Sequence, residues 1–409
     1  MKRPREHGFL IWSLLGAFAL AAGCSGNGSG SSINSGGGGS STSNTQAIVV
    51  NTGPTGNYVD GAFTSVTVCA PGSTTSCQTI DGILVDTGSS GLRIMASVLT
   101  ISPTQQTGAG GNPVVECLPF ADGETWGPVQ TVDLKIAGES TKSLPIQVVG
   151  SSSFSNVPKS CTNFGGPAED TVDSFGANGV LGVGNFAQDC GGACTLSGGS
   201  NPGLYYTCSG QNCTVTTESL ANQVPNPVAL FASDNNGVLI DLPAVTGAEA
   251  TVSGSLIFGI GTQSDNALGS ATVYAVDPNF GNFTTVFNGV TFDDESFLDS
   301  GSNGLYFPSS NSPGLVACTD FTFWYCPTST LDLSATNEAF SGGATGTVNF
   351  TVGNADTLTA LVSNAAVNGL AGPNMGSFDW GLPFFFGRKV FTAIEGANTP
   401  GGQGPYWAY

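Results

Sequence analysis

The sequence predicts an all-β protein built from two related lobes, and three observations support this prediction. Short runs of apolar and β-branched residues recur between clusters of turn residues along the 409-residue chain. The chain's 60 glycines and 22 prolines supply those turns. A twelve-residue motif that begins with Asp occurs twice, 213 residues apart, which is the spacing of two domains. The hydrophobic content of 40% is sufficient for a substantial core.

The predicted strands begin near Ala47 and continue almost to the end of the chain. Several of them alternate apolar and polar residues, as residues 129–136 do, which is typical of antiparallel strands with one buried face. Helical patterns are weak and are limited to residues 89–99 and 358–366. We expect strands over residues 47–50, 62–68, 83–85, 129–136, 144–149, 238–242, 255–260, 271–276, 284–287, 290–292, 347–352 and 390–394.

The N-terminus carries the pattern of an export signal. Three basic residues in the first five positions precede an apolar run over residues 9–22, which is too short to span a membrane comfortably. Small residues then lead to Cys24, so we predict a signal peptide over residues 1–23. Residues 20–24 (LAAGC) resemble the lipobox of bacterial lipoproteins, which implies lipidation of Cys24 and anchoring at the cell envelope, in the outer membrane. Ordinary secretion with Cys24 as a spare cysteine is the alternative.

A flexible linker is predicted between this anchor and the folded part of the chain. Residues 24–46 consist almost entirely of Gly, Ser, Asn and Thr after the cysteine, a composition that behaves as a random coil. We place the N-terminal lobe at residues 47–245 and the C-terminal lobe at residues 246–409. In this arrangement the protein meets the membrane through its lipid anchor only.

The charge of the chain limits its chemistry. Cleavage before Cys24 removes three basic residues, one acid and the only histidine, and leaves 6 basic and 28 acidic residues, a net charge of −22. A chain without histidine cannot use a Ser-His-Asp or Cys-His mechanism, nor bind a metal through histidine. Its acidic excess argues against nucleic acid as a partner. We predict no metal and no cofactor.

Ten cysteines remain beside Cys24, and an even number in an exported chain is typical of a set of disulfides. Close spacing predicts two local disulfides, and a third pairing is considered: Cys69–Cys77 and Cys318–Cys326 for the first two, and Cys117–Cys161 for the third. Four cysteines stay unassigned, either as disulfides or as the ligands of a zinc ion: Cys190, Cys194, Cys208 and Cys213.

The duplicated motif is the strongest functional signal. Residues 86–97 read DTGSSGLRIMAS and residues 299–310 read DSGSNGLYFPSS, with six identities in twelve positions. Each copy follows a short apolar stretch, so a strand would deliver each Asp to an apolar site. If the two loops meet, the two carboxyl groups share one site and cannot both ionise. One carboxylate can then activate a water while the protonated partner polarises a carbonyl group.

These pieces resemble the pepsin-like aspartic peptidases. Further similarity lies at residues 179–184 (GVLGVG), 255–259 (SLIFG) and 381–395, in the same order as in that family. The chain also resembles bacterial lipoproteins with a domain of unknown function and a pepsin-like core. The resemblance implies a bilobal pepsin-like aspartic protease fold with the site at the interface between the two β-lobes.

The resemblance also implies paired roles for the residues of the two motifs. The pairs are Asp86 and Asp299 as catalytic acids, Thr87 and Ser300 as hydroxyls that lock the two loops together, Ser89 and Ser302 as hydroxyls that bond the outer carboxylate oxygens, and Gly88 and Gly301 as glycines whose backbone faces the aspartates.

Three departures from the family pattern are visible. Arg93 stands where the family usually has Trp, and it either lowers the pKa of the aspartates, faces solvent or pairs with another acid. The segment expected to form the flap, residues 116–132, lacks the family's Tyr, so Phe120 and Trp126 are our flap candidates. Pro383 interrupts the apolar-apolar-Gly pattern that we expect in the second lobe near Leu382.

The sequence therefore predicts a monomeric, lipid-anchored aspartic endopeptidase that hydrolyses polypeptides. The alternative on the same fold is a catalytically inactive pepsin-like lipoprotein that binds partners or mediates adhesion at the cell surface. A third interpretation is a carbohydrate-binding β-sandwich, for which the paired motif would be a coincidence.

Overall fold

The computed structural model describes residues 43–309, 312–374 and 376–409, and within these ranges it is dominated by β-structure. The strands of the first half are β1 Thr45–Val50, β2 Ala62–Cys69, β3 Cys77–Asp86, β4 Ser90–Met95, β5 Thr104–Gln105, β6 Val114–Phe120, β7 Gly123–Ile136, β8 Glu139–Val149, β9 Gly179–Val183, β10 Tyr205–Ser209, β11 Asn212–Val215 and β12 Gly237–Asp241. Those of the second half are β13 Ala248–Glu249, β14 Val252–Phe258, β15 Val273–Ala275, β16 Phe283–Phe287, β17 Val290–Leu298, β18 Leu305–Tyr306, β19 Leu331–Glu338, β20 Thr345–Val352, β21 Ala366–Val367, β22 Ala371–Gly372, β23 Phe378–Trp380, β24 Lys389–Ala393, β25 Asn398–Thr399, β26 Gly402–Gln403 and β27 Tyr406–Ala408.

Helical structure is limited to single turns. The α-helices are α1 Lys159–Thr162, α2 Val172–Phe175 and α3 Ala355–Leu358. Short 3-10 helices occur at Ala96–Val98, Ala109–Gly111, Ser152–Phe154, Gly191–Thr195, Gly198–Ser200, Leu220–Asn222, Pro227–Leu230 and Leu382–Phe384. A membrane-crossing helix, which must be long and apolar, is not found in the described part of the chain.

The N-terminal predictions fall mostly beyond the described residues. The predicted signal peptide, Cys24 and the linker up to residue 42 lie outside them. The end of the predicted linker is wrong by two residues, because β1 begins at Thr45 instead of Ala47. Thr45 and Gln46 pair with Ile257 and Leu256 of β14. Strand pairing uses backbone groups, so polar residues at the end of a strand can join the ladder as readily as apolar ones.

The same strand arrangement surrounds both copies of the duplicated motif. In the first half β9 lies between β3 and β4, parallel to β3 and antiparallel to β4. In the second half β23 lies between β17 and β18, parallel to β17 and antiparallel to β18. In both halves, therefore, a strand ends at the motif, the chain turns, and the returning strand pairs with a crossing strand. The two halves are related by this repeated topology.

One sheet is shared by the two halves. β1 of the first half pairs with β14, which pairs with β12, followed by β24 and β27. β12 precedes the predicted lobe boundary after residue 245, yet it lies between strands of the second half. Near the C-terminus, the aromatic segment Tyr406–Ala408 forms β27 of this sheet and is buried. Strands of both halves are therefore joined by backbone hydrogen bonds in one continuous sheet.

Both weak helix predictions are wrong. Residues 90–95 form β4, because β8 and β9 supply backbone partners along its two edges. Only Ala355–Leu358 is helical near the second predicted segment, and residues 359–365 form turns. Tertiary pairing outweighs the local propensity of such short segments.

The ten described cysteines form five disulfides. The bonds are Cys69–Cys77, Cys117–Cys161, Cys190–Cys194, Cys208–Cys213 and Cys318–Cys326. The two disulfides predicted from spacing and the third pairing that was considered, Cys117–Cys161, are all observed. The zinc alternative for the last unassigned group is wrong, because all four sulfur atoms are used in two local disulfides.

Candidate active site

The two motif aspartates meet at the interface of the two halves. Asp86 is the last residue of β3 and Asp299 directly follows β17. Oδ1 of Asp86 and Oδ1 of Asp299 lie 2.7 Å and 3.1 Å from the position of a Cβ atom at Gly301, so the two carboxyl groups face each other at short range. A Cβ atom added at Gly88 would lie 2.7 Å from Cγ of Asp299, and one added at Gly301 would lie 2.7 Å from Oδ1 of Asp86. Glycine is therefore required on both sides for the loops to approach this closely.

Each carboxylate is held by the same two bonds. The backbone N–H of the glycine two residues later donates to Oδ1, at 2.7 Å for Asp86 and 2.8 Å for Asp299. The hydroxyl of the serine three residues later donates to Oδ2, at 2.5 Å from Ser89 and 2.8 Å from Ser302. The two halves therefore hold their aspartates with equivalent hydrogen bonds, and the Oδ1 atoms are the oxygens that face each other.

Thr87 and Ser300 connect the two loops. The Thr87 hydroxyl donates to the carbonyl of Leu298 at 3.0 Å and accepts from the N–H of Ser300 at 2.9 Å. The Ser300 hydroxyl donates to the carbonyl of Val85 at 2.8 Å and accepts from the N–H of Thr87 at 3.1 Å. Thr87 and Ser300 are 2% and 0% exposed. Four buried hydrogen bonds thus fix the separation of the two aspartates.

Burial and mutual repulsion determine the protonation of the pair. Asp86 is 6% exposed. Burial, followed by the charge of Asp299, raises the pKa of Asp86 well above its usual range, and the bonds from Ser89 and Gly88 oppose this only in part. Asp86 therefore retains its proton at pH values where a surface aspartate has lost its own. A protonated acid beside an ionised base is the state that activates a water between them.

A cavity of about 430 Å³ opens beside the aspartates. The hairpin of β6 and β7 covers it, with Leu118, Pro119 and Phe120 in the lining. The Phe120 ring packs edge-on against Phe175, with 5.7 Å between ring centroids. Phe120 therefore lies where the flap prediction placed it, at the tip of a hairpin over the pair. A larger cavity, of about 670 Å³, lies in the second half and contains neither aspartate of the pair.

The second flap candidate, Trp126, is wrongly placed by the prediction. Trp126 pairs with Cys117 in the hairpin and so lies on the face opposite Leu118. It is 5% exposed, packs edge-on against Tyr206, and donates from Nε1 to the carbonyl of Phe154 at 2.7 Å. Alternation along the strand directs it away from the aspartates.

Of the three environments predicted for Arg93, the structure shows the last, in which it pairs with other acids. Its Nη2 atom lies 2.8 Å from Glu116 and 2.9 Å from Asp189, and its Nη1 donates to the carbonyl of Ser90 at 2.8 Å. The side chain is 1% exposed. Its charge is compensated by these two carboxyls. Because Glu116 belongs to β6, Arg93 links the motif strand β4 to the flap hairpin.

Sequence reasoning missed Tyr58, which the structure brings to the pair. Tyr58 lies in the connection between β1 and β2 and packs edge-on against Phe63. Burial, and then the charges of Asp122, Asp299 and Asp86, raise its pKa above the usual range. A phenol hydroxyl is therefore present near the aspartates, on a different element from the flap. The turn-rich sequence around it gave no signal of this position.

Asp379 was missed as well, because the second-lobe crossing segment was placed too late in the chain. The Gly182 position of the first half is matched by Gly381, which follows β23, and not by a glycine after Leu382. Pro383 therefore lies beyond the pattern and does not interrupt it. Asp379 occupies the position of Val180, since each pairs with the strand that precedes the motif. The apolar-apolar-Gly pattern was not recognised here because Asp379 stands where the pattern has an apolar residue.

The repeated topology, the shared sheet and the facing aspartates define a pepsin-like bilobal fold. The crystal structure of the aspartic proteinase from Irpex lacteus superposes with a TM-score of 0.51 at 16% sequence identity, covering 89% of this chain and 96% of that one. This likeness confirms the predicted fold class, and the β-sandwich interpretation is wrong. Residues 40–409 match the family described as "Protein of unknown function (DUF3443)", and the chain belongs to that family. No curated protein matches the sequence.

Proposed function

We propose that this protein is an exported aspartic endopeptidase, held at the bacterial cell envelope by a lipid on Cys24. The observation that supports the proposal is the close approach of the Asp86 and Asp299 carboxyl groups, each held by equivalent hydrogen bonds. The polypeptide substrate would lie in the cavity under the β6–β7 hairpin, with its carbonyl carbon next to the pair.

The chemistry needs only the two carboxyls and one water. The ionised carboxyl takes a proton from the water as the water oxygen bonds to the carbonyl carbon, and the protonated carboxyl donates its proton to the carbonyl oxygen. When the tetrahedral intermediate collapses, the C–N bond breaks and the protonated carboxyl donates its proton to the leaving nitrogen, while the ionised carboxyl takes a proton from a hydroxyl of the intermediate as the C=O bond re-forms. The pair thereby returns to its singly protonated state, and no covalent enzyme intermediate forms.

The proposal is tested by incubating the purified mature protein with a denatured protein across a pH series. Asp86→Asn and Asp299→Asn keep the shape of each side chain but prevent the pair from sharing a proton. Each is expected to lower kcat/KM by about 10²–10⁴-fold. Asp81→Asn is the matched control, because Asp81 is an exposed residue of the same strand as Asp86.

Binding of a statine-type transition-state analogue gives a second measurement. The wild type is expected to bind it, and both active-site variants to bind it more weakly. Retained cleavage in either variant would refute the proposal. A folded wild type that binds peptides and cleaves none would instead support the inactive binding lipoprotein.

A further inference from the structure

Asp379 is a third carboxyl group of the site, and its strand register directs it towards the cleft. It pairs with Phe297 of β17 and with Tyr306 of β18. Phe297 lines the cavity beside the aspartates. Leu298 follows Phe297 in β17 and Trp380 follows Asp379 in β23, and both are fully buried in the core. Because side chains alternate across a sheet, Asp379 shares the cleft face with Phe297.

The Asp379 side chain is close to the motif aspartates and incompletely bonded. Ser302, whose hydroxyl donates to Asp299, lies beside Asp379. Burial, and then the charges of Asp299 and Asp86, raise the pKa of Asp379 well above its usual range. The residue is only 6% exposed. Its Oδ1 atom is buried and has no hydrogen-bond partner among the described residues. Such an atom is costly to leave without a partner.

The surroundings of Asp379 are acidic and phenolic. The Tyr306 hydroxyl donates to Asn303 at 2.5 Å. Burial, and then the charges of Asp379, Tyr58, Asp122 and Asp60, raise the pKa of Tyr306. Among the described residues, neither a lysine nor an arginine forms an ion pair with Asp379 or Asp60. The corresponding position in the first half is Val180, so the feature is confined to one side of the aspartate pair.

We propose that the second-half side of the cleft, beside Asp379, selects a lysine or arginine side chain of the polypeptide substrate. This inference rests on the proposed function and names its substrate class. A cationic side chain supplies the missing donor to Oδ1 and compensates the charge that burial makes unfavourable. A neutral side chain supplies no such charge, and an acidic one is repelled.

The test is a cleavage-site survey with wild-type protein and a mixed peptide library, read by mass spectrometry. Lysine and arginine are expected to be enriched at one position adjacent to the cleaved bond. Two synthetic peptides that differ only by lysine or norleucine at that position then give the ratio of kcat/KM values. Asp379→Asn is expected to reduce this ratio by about 10- to 100-fold, the effect of a hydrogen bond to a charged group. Asp81→Asn is expected to leave the ratio unchanged.

The outcomes separate this inference from the proposed function. Cleavage without enrichment of basic residues, or enrichment of glutamine alone, overturns the inference and leaves the endopeptidase proposal intact. An unchanged lysine-to-norleucine ratio in Asp379→Asn also overturns it. If the wild type cleaves no peptide, the proposed function fails and the inference fails with it. The library result depends on the wild type alone and does not require the variant to fold.

Discussion

Replacing Thr87 by valine removes one hydroxyl from the connection between the two motif loops and leaves the shape of the side chain almost unchanged. The change takes away the donor to the Leu298 carbonyl and the acceptor for the Ser300 N–H. Both backbone groups are buried, so water cannot replace the lost partner without opening the interface. We therefore expect the variant to be less stable and its aspartates to be less accurately positioned.

The size of the effect follows from those two groups. A buried polar group left without its partner costs about 1–3 kcal/mol. Two such groups predict a loss of about 2–6 kcal/mol in the free energy of unfolding, a large share of the roughly 5–15 kcal/mol typical of a folded domain. Ser300→Ala removes the equivalent bonds to Val85 and Thr87 and should cost a similar amount.

Equilibrium unfolding in urea measures these losses, and a double-mutant cycle tests whether the two hydroxyls act together. Once one side of the connection is lost the loops can separate, so the second substitution should cost less, with a coupling energy of about 0.5–3 kcal/mol. Thr67→Val is the matched control. Its hydroxyl bonds Thr79 at the surface, and we expect a change within about 0.5 kcal/mol.

Two results would refute this reasoning. If Thr87→Val lost no more stability than Thr67→Val, the hydroxyl would not be holding the loops together. If the losses in Thr87→Val and Ser300→Ala were strictly additive, the two bonds would act as independent local contacts and not as one connection between the halves.

Three further predictions concern other parts of the molecule. Arg93→Met leaves the carboxyls of Glu116 and Asp189 without their cation and should cost about 3–5 kcal/mol in urea unfolding, whereas a neutral result would contradict the buried ion pair. Burial raises the pKa of Asp60 in the folded state, so its contribution to stability is present in acid and is lost as the pH rises through that raised pKa. Asp60→Asn should therefore gain stability relative to the wild type between pH 4 and pH 7, measured by urea unfolding at each pH, and a constant difference would disprove the shift. Cys24→Ala should abolish labelling by a radioactive fatty acid and release the protein from the membrane fraction, and retained labelling would exclude this cysteine as the anchor.

Much of the fold and the centre of the site could be predicted because their signals are local. The alternation in residues 129–136 identifies strand β7 without any knowledge of its neighbours. The motif copies at Asp86 and Asp299 carry their own turn glycines and hydroxyls, so each loop is recognisable alone. Cysteines eight positions apart, as in Cys69–Cys77 and Cys318–Cys326, can pair in a single hairpin or loop.

Other predictions failed where a residue's environment comes from distant parts of the chain. Trp126 was assigned to the flap from its position in the chain, but the register of the hairpin turns it to the opposite face. Residues 90–95 were assigned helical character, but β8 and β9 supply partners that make them a strand. Register and pairing depend on strands that are far away in the sequence, so a local pattern does not contain them.

The chain's local patterns were therefore sufficient for the all-β class, the two lobes and the pair of aspartates, since each of these depends on residues close together in sequence. Folding in three dimensions settled what surrounds that pair. It placed the Tyr58 hydroxyl and the Asp379 carboxyl near the aspartates. It also brought Glu116 and Asp189 to Arg93, whose positive charge they compensate. These groups come from separate strands and loops, and only burial in a common interior of low dielectric makes their charges act on one another.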